Sequence, residues 1–492
     1  MSFRVAKSLL AGAAVLSAAA CAVGPDYEKP STPISATFKE QAGWKASEPN
    51  DAIDRGAWWS VFKDPVLDGL ERKVAISNQN LKAAEAAYRQ ARAVVDQARA
   101  SFLPTVGANG SAARSHAGPV TGNSYAVSVG ASWELDLWGG IRRTVEGDVA
   151  TAQASAAQLA NARLSAQATL AIDYFELRYQ EQLKQLLDRT IEDYKRSVQI
   201  TQNQYNAGVA AKADLLSAQT QLLNAQSQEV NSGVLRASLE HAIAVLTGEA
   251  PGDVTIPTGS FTTDVPVAPA GVPSALLERR PDIAAAERTM AAANARIGVA
   301  IAAYFPNLTL SPSYGFQGGS LSHLFSSPYN VWSLGATLAD TIFDAGARSA
   351  QVEQARALYD QNVAQYRQTV LTALEQVEDQ LSTLRILEQQ NVIENQVVAT
   401  AREAARLTLN QYKAGTVPYS SVITAQATAL STEQTALAVT ENRLAASVTL
   451  IEALGGGWDS SQLPSRAQVE DDISFLKVVP IATDHPTSSE GK

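Results

Sequence analysis

From Tyr125 to Leu137 every odd position is apolar (Tyr125, Val127, Val129, Ala131, Trp133, Leu135, Leu137), whereas Ser128, Gly130, Ser132, Glu134 and Asp136 are small or polar. Alternation of this kind marks a strand with one apolar face. The same pattern returns in Leu308, Leu310, Pro312, Tyr314 and Phe316, and again in Trp332, Leu334, Ala336, Leu338 and Ile342, broken only by Asp340. The stretch after Pro104 is the weakest, being mostly Gly, Ala, Ser and Asn. Strands are therefore expected near 104–116, 124–138, 306–317 and 330–343. Their polar faces carry small residues rather than the Lys and Glu of a solvated sheet.

Elsewhere the pattern is helical. Residues 143–205 hold no proline and one glycine, Gly147, so a continuous helix there would run about 95 Å. Residues 348–412 are similar and lack both residue types. Ile191, Tyr194, Val198 and Tyr205, like Leu374, Val377, Leu381 and Leu384, keep seam-like spacing, and alanines beside them allow close approach on a second face. Each long helix ends at a Tyr-X-Ala-Gly turn, where Gly208 and Gly415 fit as caps. A shorter helix then returns, 213–246 or 420–454, with Asp214 and Pro418 suited to its start.

These elements occur twice. Glu85 matches Glu287, Phe102-Leu103-Pro104 matches Tyr304-Phe305-Pro306, and Gly140-Ile141-Arg142 matches Gly346-Ala347-Arg348. Tyr205–Gly208 matches Tyr412–Gly415, and Leu246-Thr247-Gly248 matches Leu454-Gly455-Gly456, the offset drifting from 202 to 208. The expected organisation is a signal at 1–20, an extended segment at 21–65, a first repeat at 66–250, a linker at 251–273, a second repeat at 274–457 and a tail at 458–492, expected to end in disorder. The fold class is mainly α with a small membrane β part.

Four strands cannot close a membrane barrel, since spanning barrels have at least eight and an open edge in lipid leaves unpaired backbone groups. The barrel must be shared. A dimer would give eight strands around a filled interior, and a trimer twelve around a lumen. Each hairpin leaves one helix and enters another, so the helices lie on one side of the membrane, and loops 117–123 and 318–329 face outward.

The 492 residues carry a net charge of -10 with a pI near 5.1, and no basic stretch exceeds pairs such as Arg279-Arg280, which speaks against nucleic acid. Arg4 and Lys7 precede an apolar stretch, Leu9 to Ala20, too short to span a bilayer. Cys21, the only cysteine, follows Ala18-Ala19-Ala20 directly. That arrangement resembles a bacterial lipoprotein box, although Ala18 stands where such boxes usually carry Leu; an ordinary signal with a spare thiol is the alternative. Ala22 after the cysteine resembles the signal for outer-membrane sorting. Four scattered histidines and the absence of phosphate-loop, zinc-spacing or nucleophile motifs leave no enzyme, cofactor or metal expectation.

Cys21–Tyr27, Trp133–Gly139, Glu278–Ile283, Ala300–Pro306 and Ala453–Trp458 together resemble the TolC-like outer-membrane efflux proteins, in their lipidated branch that serves resistance-nodulation-division (RND) pumps. The resemblance spans nearly all of the mature chain. It implies a homotrimer with a twelve-stranded barrel and a periplasmic helical tunnel, docked to a periplasmic adaptor and an inner-membrane RND pump, and passing drugs or other small molecules outward. The exit duct of a type I protein secretion system is the alternative within this class.

A tube left open would leak, so the helix ends should converge at rest. The residues best placed to hold them are Tyr205 and Tyr412, with Asp214, Thr416 and Thr424 beside them; packing of the last turn is the other role open to the tyrosines. The resemblance favours a gate role at Tyr412. It also implies carboxylates where Ser421 and Thr424 stand, so a charged constriction would rely on Asp214.

Overall fold

A computed structural model describes residues 22–32, 35, 37–41, 57–266 and 276–470. Cys21 and the tail beyond 470 lie outside them. The first repeat holds α1 (Pro65–Ser77), α2 (Gln79–Ala100), β1 (Thr105–Ala117), β2 (Val120–Leu135), α3 (Gly140–Asn206) and α4 (Lys212–Leu246). The second holds α5 (Leu276–Arg279), α6 (Pro281–Ala302), β3 (Asn307–Gly318), β4 (Asn330–Ala339), α7 (Ala347–Lys413) and α8 (Tyr419–Ala453). A final short helix, α9, covers Arg466–Glu470.

The two copies match element by element. Helices α2 and α6 both have 22 residues, α3 and α7 both 67, and α4 and α8 both 35. The first pair is offset by 202 residues and the other two by 207. Leu246-Thr247-Gly248 therefore corresponds to Ala453-Leu454-Gly455, one residue earlier than the sequence pairing suggests. Three consecutive glycines, Gly455 to Gly457, hide that register in the sequence. Geometry settles it: a Cβ on Gly248 would lie 2.2 Å from the Ser77 carbonyl oxygen, and one on Gly455 2.0 Å from that of Arg279.

The sheet runs β1-β2-β3-β4, antiparallel throughout. Its register aligns Val129 with Tyr314 and Tyr314 with Trp332 on one face, and Ser128 with Gly315 on the other. Apolar residues of this face stay exposed, with Trp332 and Leu334 about three-quarters accessible. The first hairpin turns at Gly118-Pro119, far tighter than the expected 117–123 loop, because β1 and β2 pair down to Ala117 and Val120. The second keeps a longer connection containing two short 3-10 turns, Leu321–His323 and Ser327–Tyr329. Strand β4 stops at Ala339, before Asp340 and Ile342. Both outer strands, β1 and β4, have one unpaired edge in the chain.

The main core lies midway along the helices. Trp58, Leu67, Tyr174, Phe175, Met290, Tyr366, Leu381 and Leu450 meet there. Asp64 caps α1 by accepting from Val66 and Leu67 amides and also accepts from the Tyr174 hydroxyl at 2.6 Å. Residues 254–259 are strapped down: Arg178 and Arg236 donate to the Pro257 and Ile256 carbonyls, and Glu240 and Glu181 accept from the Ile256 and Gly259 amides. Past Trp458 the chain remains packed, with Val469 buried against Val95, Val145 and Val149. Among the described residues, no helix is long and apolar enough to cross a membrane.

Candidate functional site

Two ends of the helical body carry the sequence-predicted residues. At the sheet end, residues 22–27 are fixed against the junction of β2 and α3. The Val23 amide donates to the Trp138 carbonyl at 3.0 Å, and Arg143 donates to the Val23 and Gly24 carbonyls and to Asp26. Gly24, at φ +95, passes so close to Gly298 that a Cβ would sit 2.5 Å from its Cα. Asn294 donates to the Pro25 carbonyl, and the Tyr27 hydroxyl donates to Glu287.

Aromatic side chains mark the same level in both repeats. Indole N–H groups of Trp133 and Trp138 donate to the Phe102 and Pro306 carbonyls, each at 2.9 Å, and Trp138 stacks on Phe305 at 4.8 Å. Such amphipathic rings suit a membrane interface. Each strand-to-helix junction is closed by an Asp–Arg pair, Asp136 with Arg142 and Asp344 with Arg348, whose carboxylates also accept from helix-start amides.

At the far end the two turns have one geometry. Gly208 (φ +71) and Gly415 (φ +75) follow the long helices, with Val209 and Thr416 amides bonded back to Gln204 and Gln411 carbonyls. Both glycines fill the expected cap role. Asp214 lies in the first turn of α4, where an acid favours the dipole, and α8 begins after Pro418 rather than on it.

The candidate gate residues do not form one cluster. Tyr412 is 6% exposed and its ring packs against that of Tyr419, centroids 5.1 Å apart and planes tilted by 58°, in a cluster with Val422 and Ala218. Tyr205, its repeat counterpart, is 39% exposed. The Thr416 and Thr424 hydroxyls both donate to their own backbone, at Gln411 and Ser420. No hydrogen bond or ion pair joins Tyr205, Asp214, Tyr412, Thr416 and Thr424 to one another among the described residues.

Tyr419 is the residue that sequence reasoning missed. It is 1% exposed and lies against Thr201 and Ser197 of α3; burial, the main cause, pushes its hydroxyl up to about 12. Gln426, two turns along α8, donates to the Ser197 hydroxyl at 3.2 Å. The apolar spacing Tyr412, Tyr419, Val422 carried that signal, but across a turn where periodicity breaks.

This architecture, a four-stranded sheet on a duplicated bundle of very long helices, belongs to the outer membrane efflux protein family, whose description the chain matches over residues 71–249 and 272–456. A toluene efflux pump outer membrane protein of Pseudomonas putida, TtgC, is 30% identical over 465 residues, covering 92% of this chain and 96% of that protein. The pyoverdine export outer membrane protein OpmQ of Pseudomonas aeruginosa is 29% identical, covering 87% and 94%. Among solved structures, the outer-membrane channel OprN superposes with a TM-score of 0.84 at 31% identity, covering 89% of this chain and all of that one. The Campylobacter jejuni channel CmeC gives 0.85 at 23% identity, covering 92% and 100%, and supports the fold. The protein is an outer-membrane efflux channel of the TolC-like type, an exit duct.

Proposed function

We propose that three copies of this chain join their sheets into one twelve-stranded barrel and their helices into a periplasmic tunnel, which passively conducts small molecules handed over by a periplasmic adaptor and an inner-membrane RND pump. The observation that carries the trimer is an asymmetry between equivalent helices. Helix α6, lying between the long helices α3 and α7, buries thirteen residues, whereas its counterpart α2, which has only one long helix, α3, beside it and the short α9 against its end, buries just Leu81 and Val95. The unpaired edges of β1 and β4 ask for the same neighbour. With no nucleotide motif in the chain, energy comes from the pump, and the duct itself does no chemistry.

Lipid attachment at Cys21 is part of this reading. Its support is the position of Ala22, whose Cα would lie 2.6 Å from a Cβ on Gly139, at the base of the sheet. An acyl chain on the preceding residue would enter the periplasmic face of the outer membrane and add to the hold of the barrel. Mass spectrometry of the mature N-terminus should find an acylated Cys21; a free thiol there would remove the anchor from the account.

Closure at rest is assigned to the helix tips, chiefly to Tyr412 in its packed pair with Tyr419, with Asp214 as the acidic group of the opening. The pair is held by ring packing, since the buried Tyr412 hydroxyl has no hydrogen-bond partner among the described residues, and such an aromatic contact contributes about 0.5–1.5 kcal/mol, weak enough for partner docking to reverse. Single-channel recording tests this. Tyr419→Ala should raise the resting conductance and Asp214→Asn should weaken block by multivalent cations, while Tyr412→Phe, which keeps the ring, should change conductance less than Tyr419→Ala. Unchanged conductance and unchanged block in all three would place the closure elsewhere.

A further inference from the structure

The outer end of the sheet is chemically unlike the rest of it. Ala112 pairs with Tyr125 and Tyr125 with Gly318, so these positions share the apolar face with Val129, Tyr314 and Trp332. Arg114 pairs with Asn123 and His116 with Thr121, which puts both basic residues on that same face, at its next two positions beyond Ala112. Both are exposed, and His116 Nδ1 lies 2.8 Å from the Thr121 hydroxyl oxygen. No acidic residue occurs in 105–133 or 307–339, so neither hairpin supplies Arg114 with a counter-ion. Depth decides what these groups meet. Arg114 stands nine residues beyond Thr105 at the base of β1. At about 3.3 Å per residue and ~40° tilt the rise is roughly 23 Å, close to the height of an outer-membrane apolar band. Arg114 therefore reaches the outer headgroup level, where a cation on the lipid side is tolerated.

The connection between β3 and β4 folds back onto this same face. Phe325 meets Phe316 edge-on, ring centroids 5.5 Å apart, and Phe316 pairs with Val127 on the apolar side. The Tyr329 ring fills the space beside Gly318, where a Cβ would come within 2.8 Å of it. Leu324 is buried, whereas Leu321 and Phe325 are about two-thirds exposed. We propose that this outer rim binds the phosphorylated, multiply acylated glycolipid of the outer leaflet, one molecule per chain. Arg114 and His116 take a sugar phosphate, and Tyr125, Phe316 and Phe325 lie along the acyl chains. The proposal rests on the barrel reading above, which makes the apolar face the lipid side. Charge complementarity carries the choice of occupant: a guanidinium without a counter-ion, one step beyond a layer of rings, matches a phosphate joined directly to hydrocarbon. The rim lies at the end of the sheet away from the helices, and so in the leaflet that holds glycolipid.

The test titrates the full-length protein in mild detergent with diphosphoryl lipid A and counts bound lipid by native mass spectrometry. The parent trimer should bind lipid A saturably, up to one per chain, and prefer it to phosphatidylglycerol in competition. Arg114→Ala should weaken binding by about fivefold, the weight of one cation at a lipid surface, and Arg114→Lys should restore most of it. Phe325→Ser, which removes the ring and leaves the cations, should also weaken it, with the trimer intact. A parent trimer that takes up no lipid A, or an Arg114→Ala trimer that binds it as tightly as the parent, would overturn the proposal and leave the barrel standing. Equal binding of dephosphorylated lipid A would remove the role of the cations, and equal binding of phosphatidylglycerol would remove the glycolipid. A monomer by native mass would instead remove the barrel face, and the site with it.

Discussion

Gly455→Ala is expected to be among the most damaging single-atom additions this chain can suffer. Its backbone is left-handed at φ +95, and the added Cβ would stand 2.0 Å from the Arg279 carbonyl oxygen and 2.8 Å from its carbon. Both partners are backbone, so no side chain can swing away. The Arg280 guanidinium beside it, donating to the Ala453 carbonyl and to Asp282, fixes the end of α8 to the start of α6 and limits relaxation. Conformational strain and overpacking each cost about 1–3 kcal/mol, so the expected loss is roughly 3–5 kcal/mol. Gly415→Ala is the matched control. That glycine is also left-handed, at φ +75, but a Cβ there meets nothing within 4 Å, so only the strain of about 1–2 kcal/mol applies. Thermal midpoints of the two variants in detergent should differ clearly; equal midpoints would mean that the junction of α8 with α5 yields easily.

The second large effect concerns Glu71, fully buried on α1 with neither carboxylate oxygen bonded among the described residues. Burial, and to a smaller extent the neighbouring Asp68, pushes its carboxyl up from 4.5 to about 9. A raised folded-state value means the native chain holds this proton while the unfolded chain releases it. Stability from this group is therefore fully present below about pH 4.5 and is lost progressively as pH rises toward 9. At pH 7 the cost of keeping the proton is about 3 kcal/mol, taken from the distance between pH 7 and the unfolded value. Glu71→Gln, which keeps shape without the charge, should match the parent near pH 4.5 and unfold at a distinctly higher temperature at pH 8. A variant that tracks the parent at both pH values would show that Glu71 reaches water or a cation.

Much of this architecture was legible because its two periodicities are strict and long. Tyr125–Leu137 alternates without ambiguity, and helices free of proline for 60 residues or more can hardly be anything else. Strand β1 was faint for a physical reason: Thr105–Ala117 is built from small residues, and its register comes from pairing with β2 rather than from its own pattern. The one-residue slip at Gly455 arose where three glycines erase side-chain information and only packing against Arg279 distinguishes them. At the tips, the sequence pointed to Tyr412 but also to Thr416 and Thr424, whose hydroxyls are taken up by their own helical backbone. Tyr419 escaped notice because its partners, Thr201 and Ser197, lie more than 200 residues away on α3. The N-terminal strap through Arg143, Asn294 and Glu287 was likewise hidden, since long-range hydrogen bonds leave no periodic trace.

The central claim is that one chain supplies a third of a closed barrel and that the missing neighbours of β1, β4 and α2 are copies of itself. Native mass spectrometry of the full-length protein released from mild detergent tests it most directly. The account predicts a dominant species of three polypeptides that persists when the protein is diluted. A dominant monomer, or a dimer that would close only eight strands, would contradict it.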